Sequence, residues 1–280
     1  MAVKAIGKLS EKYHIDTGKE VDVLLTNVSL LDLPFVGCGA SIAGALGMNP
    51  RYIYDIHNGG CVSFIFMLEL ASMIFNSSNA RSALLCNMQT AAGRIFSSDD
   101  NRTLPQSSVP GDGCGATYVT KEGHNPVISI VTRSHGKYAN DMTYKSPDGR
   151  YWWEPGTGSL NIDFDENKIA AIIARGNRLV PEVLYLAIQQ AKLKAGDIDW
   201  LITNQPNRIF LRNWRESIQL HEEKHINTLA EHGNLFGAGI PICFERGLED
   251  GRITPGCTLL LGGFSHAGDY DAAAVIRWNG

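Results

Sequence analysis

The sequence predicts an α/β protein built from two similarly folded halves. Three observations carry this. Apolar runs of strand length alternate with stretches of helical periodicity, the pattern of sheets covered by helices. A seven-residue motif recurs: V-D-V-L-L-T-N at 21–27 returns as I-D-W-L-I-T-N at 198–204, with four identities and two conservative changes. A glycine-bearing polar turn follows each copy at nearly the same offset, "IHNGGC" (56–61) and "EHGNLFG" (231–237), and each leads into a helical stretch.

The elements follow in order. "MAVKAIGKLSEKYHI" spaces its apolar residues as an amphipathic helix and lacks a signal-peptide core. "VDVLLTNV" (21–28) and "IYDIH" (53–57) are short strands, and residues 61–75 form a helix ending in the polar "NSSN". "RSALLCNMQT" (81–90), "ATYVT" (116–120) and "VISIVTR" (127–133) are further strands. "NKIAAIIARGNRLVPEVLYLAIQQAKL" (167–193) is helical. "IDWLITN" (198–204), "INTLAE" (226–231), a helix near 237–250 and the strands "TLLLGGF" (258–264) and "AAAVIRW" (272–278) complete the chain. The halves are placed at 1–133 and 166–280, joined by a connecting segment at 134–165. That segment is rich in glycine, polar residues and aromatics, and its length suggests a functional flap. Trp152 and Trp153 would line a substrate entrance there, or pack on the surface.

With 280 residues, 44% of them hydrophobic, the chain can bury a large core. Its net charge of −4 gives no support to a nucleic-acid binder. "FIFMLELASMIF" (64–75) contains Glu69 and is short for a membrane span. A soluble, cytoplasmic protein is expected. Six cysteines stand at 38, 61, 86, 114, 243 and 257, none in a CxxC pair and none with zinc-site spacing. Each reads first as a small buried hydrophobe.

Cys61 invites a second reading. It follows Asn58-Gly59-Gly60 and opens a helix, so a strand, tight turn and helix would project the thiol at a helix N-terminus. The helix dipole there favours a thiolate, and the glycines allow close backbone approach. This is the logic of a nucleophile elbow.

Several motifs, in order, resemble the thiolase superfamily and most closely the β-ketoacyl-acyl carrier protein synthase III group. The Cys61 helix start looks like that family's acyl-accepting cysteine. "SSDDNRT" (97–103), "GDGCGATYV" (111–119), "NQPNRI" (204–209) and the stretch from "HGNLFG" to "LLLGGFS" are similar to its other signature segments, so nearly the whole chain is covered. The resemblance implies two pseudo-symmetric α/β halves in a layered αβαβα sandwich. It implies a homodimer and no resident cofactor, with coenzyme A or phosphopantetheine as the substrate carrier, and no metal.

Two departures stand out. The family usually has a longer stretch, with an opening strand, before the first repeat strand; this portion is expected to be missing, leaving the first sheet incomplete with an exposed edge. The family's catalytic histidine position is Asn204. Its triad of Cys, His and Asn therefore maps to Cys61, Asn204 and Asn234. Two asparagines can donate hydrogen bonds to an oxyanion, but neither is a general base near neutral pH. Decarboxylative condensation is therefore in question. His266, in "GGFSHAGDYDAA", is the candidate substitute, with Asp269 or Asp271 to orient it; His57 and His232 are further candidates, and all read equally as structural histidines. Arg208, Arg212 and Arg215 fall on one helical face, suited to a coenzyme A phosphate or an acidic carrier, or simply solvated.

The expected function is a ketosynthase III-like acyltransferase. Cys61 would take an acyl group from a coenzyme A or carrier thioester and pass it to a second substrate, in specialised polyketide or fatty-acid-derived metabolism. Backbone N–H groups of Cys61 and the 266–268 loop would form the oxyanion hole. The alternative is a catalytically impaired subunit that pairs with an active partner. A degradative thiolase fits the Asn-Gln and Gly-Asn segments less well.

Overall fold

The computed structural model describes every residue except 33, 34, 58, 146, 147, 152, 153, 156–160 and 165–167, and leaves out the side chains of 105, 106, 144, 145 and 161–164. Trp152 and Trp153 lie outside the described residues. The chain runs α1 (Ala2–Tyr13), α2 (Thr17–Glu20), β1 (Val23–Val28), α3 (Gly39–Ala45), β2 (Tyr52–Ile56), α4 (Ser63–Ser77), β3 (Ser82–Gln89), β4 (Gly113–Thr120) and β5 (Val127–Ser134). It continues with β6 (Met142–Lys145), β7 (Asn161–Phe164), α5 (Ile169–Gln190), β8 (Trp200–Thr203) and α6 (Arg208–Ser217). It ends with β9 (His225–Ile226), α7 (Leu229–His232), α8 (Gly239–Glu249), β10 (Thr258–Ser265) and β11 (Tyr270–Arg277).

The repeat is visible in the sheets. One has four strands in the order β2-β1-β3-β4, the other five in the order β5-β11-β10-β8-β9. The motif strands β1 and β8 are interior and parallel to both neighbours. The last strand of each repeat, β4 or β11, is antiparallel to the strand before it. The shared aspartate explains part of the motif. Asp22 Oδ2 accepts the Arg81 N–H at 2.7 Å, and Asp199 Oδ2 accepts the Thr258 N–H at 2.8 Å. Each carboxylate thus pins the start of the neighbouring strand, β3 in one half and β10 in the other.

β5 adds a fifth strand beside β11, in antiparallel register with Tyr270 opposite Ser134. No strand occupies the matching place beside β4 among the described residues. The first sheet is therefore one strand narrower, and its edge falls at β4. The expected division at 133/134 falls at the end of β5, a strand that hydrogen-bonds within the second sheet. β6 and β7 form a separate antiparallel ribbon inside the connecting segment.

Burial sorts the helices into layers. Val23, Leu25, Ala83 and Leu85 of the first sheet meet Ile202, Leu259, Leu261 and Ala272 of the second around α4 and α8. α1 and α3 cover the outer face of the first sheet through Ile6, Leu24, Ile42 and Leu84. α5 and α6 cover the second through Val183, Leu184, Phe210, Trp214 and Leu260. The result is the five-layered αβαβα arrangement. Gly60–Ser77 is, by length and composition, apolar enough to cross a membrane, which corrects the expectation drawn from Glu69. Its apolarity has another use here: Phe64, Ile65, Met67 and Ala71 are buried between the two sheets.

Candidate active site

β2 leads through Gly59 (φ 82°) and Gly60 (φ 43°) into a 3-10 turn, Gly60–Val62, and then α4. Both glycines hold left-handed backbone that a Cβ would strain. Gly60 also has no room: a Cβ there would sit 2.7 Å from His266 Nε2. Ser265, at the end of β10, clamps the turn from the other half. Its Oγ accepts the Val62 N–H at 3.1 Å and donates to the Gly59 carbonyl. Ser265 carries no distinguishing signal in the sequence beyond its place beside His266.

Cys61 sits in this turn, only 7% exposed. Burial pushes its thiol up to about 12, and the Asp269 charge adds to the rise. The His266 backbone N–H, the Asn204 side-chain amide and the Cys61 N–H oppose it, because each favours the thiolate. The expectation that the helix start would supply a thiolate is thus corrected. Two halves closing over the elbow remove more solvation than these dipoles return, so the resting group is a thiol.

The structure brings Asn204 and His266 to the thiol. Asn204 follows β8 and is 1% exposed. Its Nδ2 donates to the Phe264 carbonyl at 3.0 Å, and its Oδ1 accepts the Phe264 N–H at 3.2 Å. This two-point grip fixes the amide plane. It needs Gly263, where a Cβ would lie 1.9 Å from Asn204 Oδ1. Asn234 sits on the neighbouring turn, where its Oδ1 accepts the Phe236 N–H at 3.0 Å, and its Nδ2 has no partner among the described residues.

His266 has left-handed backbone (φ 49°), uncommon for a residue with a Cβ. Its Nδ1 lies 3.1 and 3.0 Å from the two Asp269 oxygens. An ionised carboxylate only accepts, so Nδ1 carries the proton and the Nε2 lone pair faces the elbow. Asp271 is occupied elsewhere: it receives Arg133 Nε at 2.8 Å and lies 2.6 Å from His135 Nε2. His57 is exposed and lines a cleft with Thr26, Asp55 and Phe35, and His232 is exposed beside Glu231. Neither joins the centre.

The proposed basic face is corrected at one position. Arg208 and Arg212 are exposed on α6. The Arg215 side chain is only 13% exposed, lies near Glu216 and Glu222, and helps hold the buried His225 in its neutral form. Seven residues are almost two full turns, so Arg215 shares the face of Arg208; it is covered because the segment after α6 brings Glu222 and His225 against that end of the helix.

Two matched halves with a buried cysteine at a helix start between them define a class, the thiolase-like proteins of acyl-condensing type. Comparison narrows this. A family profile described as 3-oxoacyl-[acyl-carrier-protein (ACP)] synthase III matches residues 54–136, and its C-terminal counterpart matches 188–278, together more than half of the chain. The chain belongs to the 3-oxoacyl-[acyl-carrier-protein] synthase III family of the thiolase superfamily. A β-ketoacyl-[acyl-carrier-protein] synthase III of Campylobacter concisus is 28% identical, over 100% of this chain and 80% of the relative. The Methylococcus capsulatus enzyme of the same name is 26% identical, over 92% of this chain and 77% of its own length. Among solved structures, a Thermus thermophilus β-ketoacyl-[acyl carrier protein] synthase III superposes with a TM-score of 0.85 at 25% identity, covering 100% of this chain and 84% of that one. The priming β-ketosynthase of the R1128 polyketide pathway also superposes at 0.85, covering 100% and 81% at 22% identity, a likeness of fold.

Proposed function

We propose that the protein is an acyltransferase that loads an acyl group onto Cys61 from a coenzyme A or acyl-carrier thioester and passes it to a second substrate. The observation that carries this is the set of groups around the buried thiol: the Asn204 amide, the His266 N–H and a His266–Asp269 pair. His266 Nε2 takes the Cys61 proton as sulfur attacks the thioester carbonyl, and Asp269 holds the ring and its developing charge. Backbone N–H groups of Cys61 and His266 receive the carbonyl oxygen of the tetrahedral intermediate. The coenzyme A or carrier thiol leaves with the proton, and the acyl group stays on sulfur.

In the second step Asn204 and Asn234 donate to an oxygen, but neither accepts a proton. With His266 as the base, the second step is transfer to an alcohol or amine, or a condensation that does not decarboxylate malonyl thioester. The setting is specialised acyl metabolism in the cytoplasm. The protein works as a homodimer, with the exposed Arg208 and Arg212 beside the carrier. The test is intact-mass measurement after incubation with acyl-coenzyme A and acyl-carrier donors. A stable adduct that disappears in Cys61→Ala is expected. A folded protein that takes no acyl group from any donor would overturn the proposal in favour of a non-catalytic subunit.

A further inference from the structure

The loop that delivers the His266 N–H to Cys61 is closed by its own turn, Gly268 N–H donating to the Ser265 carbonyl at 2.8 Å, and is also held from outside. Its neighbours Ala267 and Gly268 rest on Arg175, a residue of α5 that is 9% exposed. Arg175 Nη1 donates to the Ala267 carbonyl, and Nη2 reaches Asp141 Oδ2 at 2.9 Å. The guanidinium lies over Tyr138, with Cζ 3.5 Å from the ring centroid. The aliphatic stem fills the space under Gly268, where a Cβ would lie 2.5 Å from Arg175 Cδ. Tyr138 and Asp141 both belong to the connecting segment, and Lys168 Nζ supports Asp141 from 2.9 Å. One side chain therefore touches the catalytic loop on one side and the connecting segment on the other.

We infer that Arg175 is a positioning residue that ties the His266 loop to the connecting segment, so that the seat of Tyr138 and Asp141 sets the oxyanion geometry at Cys61. The inference rests on the acyl-transfer reading for its kinetic consequence, not for its geometry. His266 occupies left-handed backbone, uncommon for a residue with a Cβ, and Arg175 adds a hold from outside to the loop's own turn bond. A planar guanidinium suits the task. It grips a carbonyl, a carboxylate and a ring at once, which an ammonium cannot. Asp141 is held ionised by Lys168 and Arg175 and completes the hold.

The experiment compares wild type, Arg175→Ala, Arg175→Lys and Asp141→Asn. Three readouts are used: acyl loading of Cys61, its alkylation rate by iodoacetamide against pH, and hydrogen exchange of the 262–269 amides. Arg175→Ala should slow loading by about 10²-fold, as misplacement of a donor by about 1 Å does. It should also shift the alkylation profile to higher pH and raise exchange in 262–269 while α4 and β3 keep theirs. Arg175→Lys and Asp141→Asn should fall between. Methylguanidinium added to Arg175→Ala should restore part of the loading rate. Wild-type loading with all variants loading equally would overturn this inference and leave the acyl-transfer reading standing. No loading even by wild type would overturn that reading. Alkylation and exchange would then decide for Arg175 alone: unchanged profiles in Arg175→Ala refute it, shifted profiles support it.

Discussion

The Cys61 thiol gives the sharpest prediction. Its value stands at about 12 against an ordinary 9.0, with burial as the main cause. That rise corresponds to about 4 kcal/mol against the thiolate, or about a thousandfold less of it at pH 8 than in a free cysteine. Iodoacetamide alkylation, followed by peptide mass spectrometry to separate Cys61 from the other five cysteines, should be slower by that order. The rate should climb tenfold per pH unit through pH 10 without a plateau. Asn204→Ala removes a donor that favours the thiolate, so it should lower the rate about another tenfold or more. Stability follows with a definite sign. The folded state holds this proton more tightly than the unfolded chain, so the contribution is intact below pH 9 and is lost as pH rises toward 12. Cys61→Ala should therefore flatten the alkaline arm of the unfolding curve. A plateau below pH 9 at free-thiol rates would show a preformed thiolate and refute the reasoning.

Three further outcomes are expected. Asp269→Asn removes the charge and places an NH2 donor where one oxygen accepted, so the His266 tautomer with Nε2 free is no longer enforced; acyl loading at pH 7.5 should fall about a hundredfold or more with little change in donor affinity, read as kcat against KM. Ser265→Ala removes the hydroxyl that bridges the Val62 N–H and the Gly59 carbonyl, leaving the N–H its direct 2.9 Å bond to that carbonyl, and should cost about 0.5–1.5 kcal/mol in denaturant unfolding, with slower loading. His225 is held neutral, with its value lowered to about 3 by burial and then by the Arg215 charge. Protonation is therefore opposed by the fold, and stability should be lost as pH falls from 6.5 toward 3; His225→Gln should reduce that acid sensitivity in a pH series of urea midpoints.

The two-halved fold was legible because the repeat sits in its two motif strands, where an aspartate meets the same local demand twice. Asp22 and Asp199 each pin a strand start about sixty residues downstream, so the spacing itself carried information. Cys61 was legible from its glycine turn, and His266 from its place in a glycine-rich strand end. Its partner was open between Asp269 and Asp271, since both follow closely; only the turn of β11 sends Asp271 toward Arg133 and His135. The charge state of Cys61 was not legible, because the desolvation comes from residues more than two hundred positions away, such as Ser265. Arg215 failed for a similar reason: helical spacing gives a direction, but the packing of α6 decides which flank is covered. The role inferred for Arg175 had no local signal, since its partners lie on two segments distant from it in sequence.

The placement of β5 decides where this chain can be severed. The turn before it already belongs to the second sheet: Arg277 N–H donates to the Pro126 carbonyl at 3.0 Å, and Asn279 N–H to Asn125 Oδ1 at 2.7 Å. Lys121, by contrast, still reaches back to the Arg81 carbonyl at 2.7 Å. A cut at Glu122–Gly123 leaves each sheet whole, whereas a cut in the connecting segment strips one sheet of its outermost strand and hands it to the wrong fragment. Cys61 would travel with the first piece, Asn204 and His266 with the second. Each fragment alone would be chemically mute, and restored acyl loading would report their reunion, which makes the Glu122–Gly123 bond the seam of a split reporter.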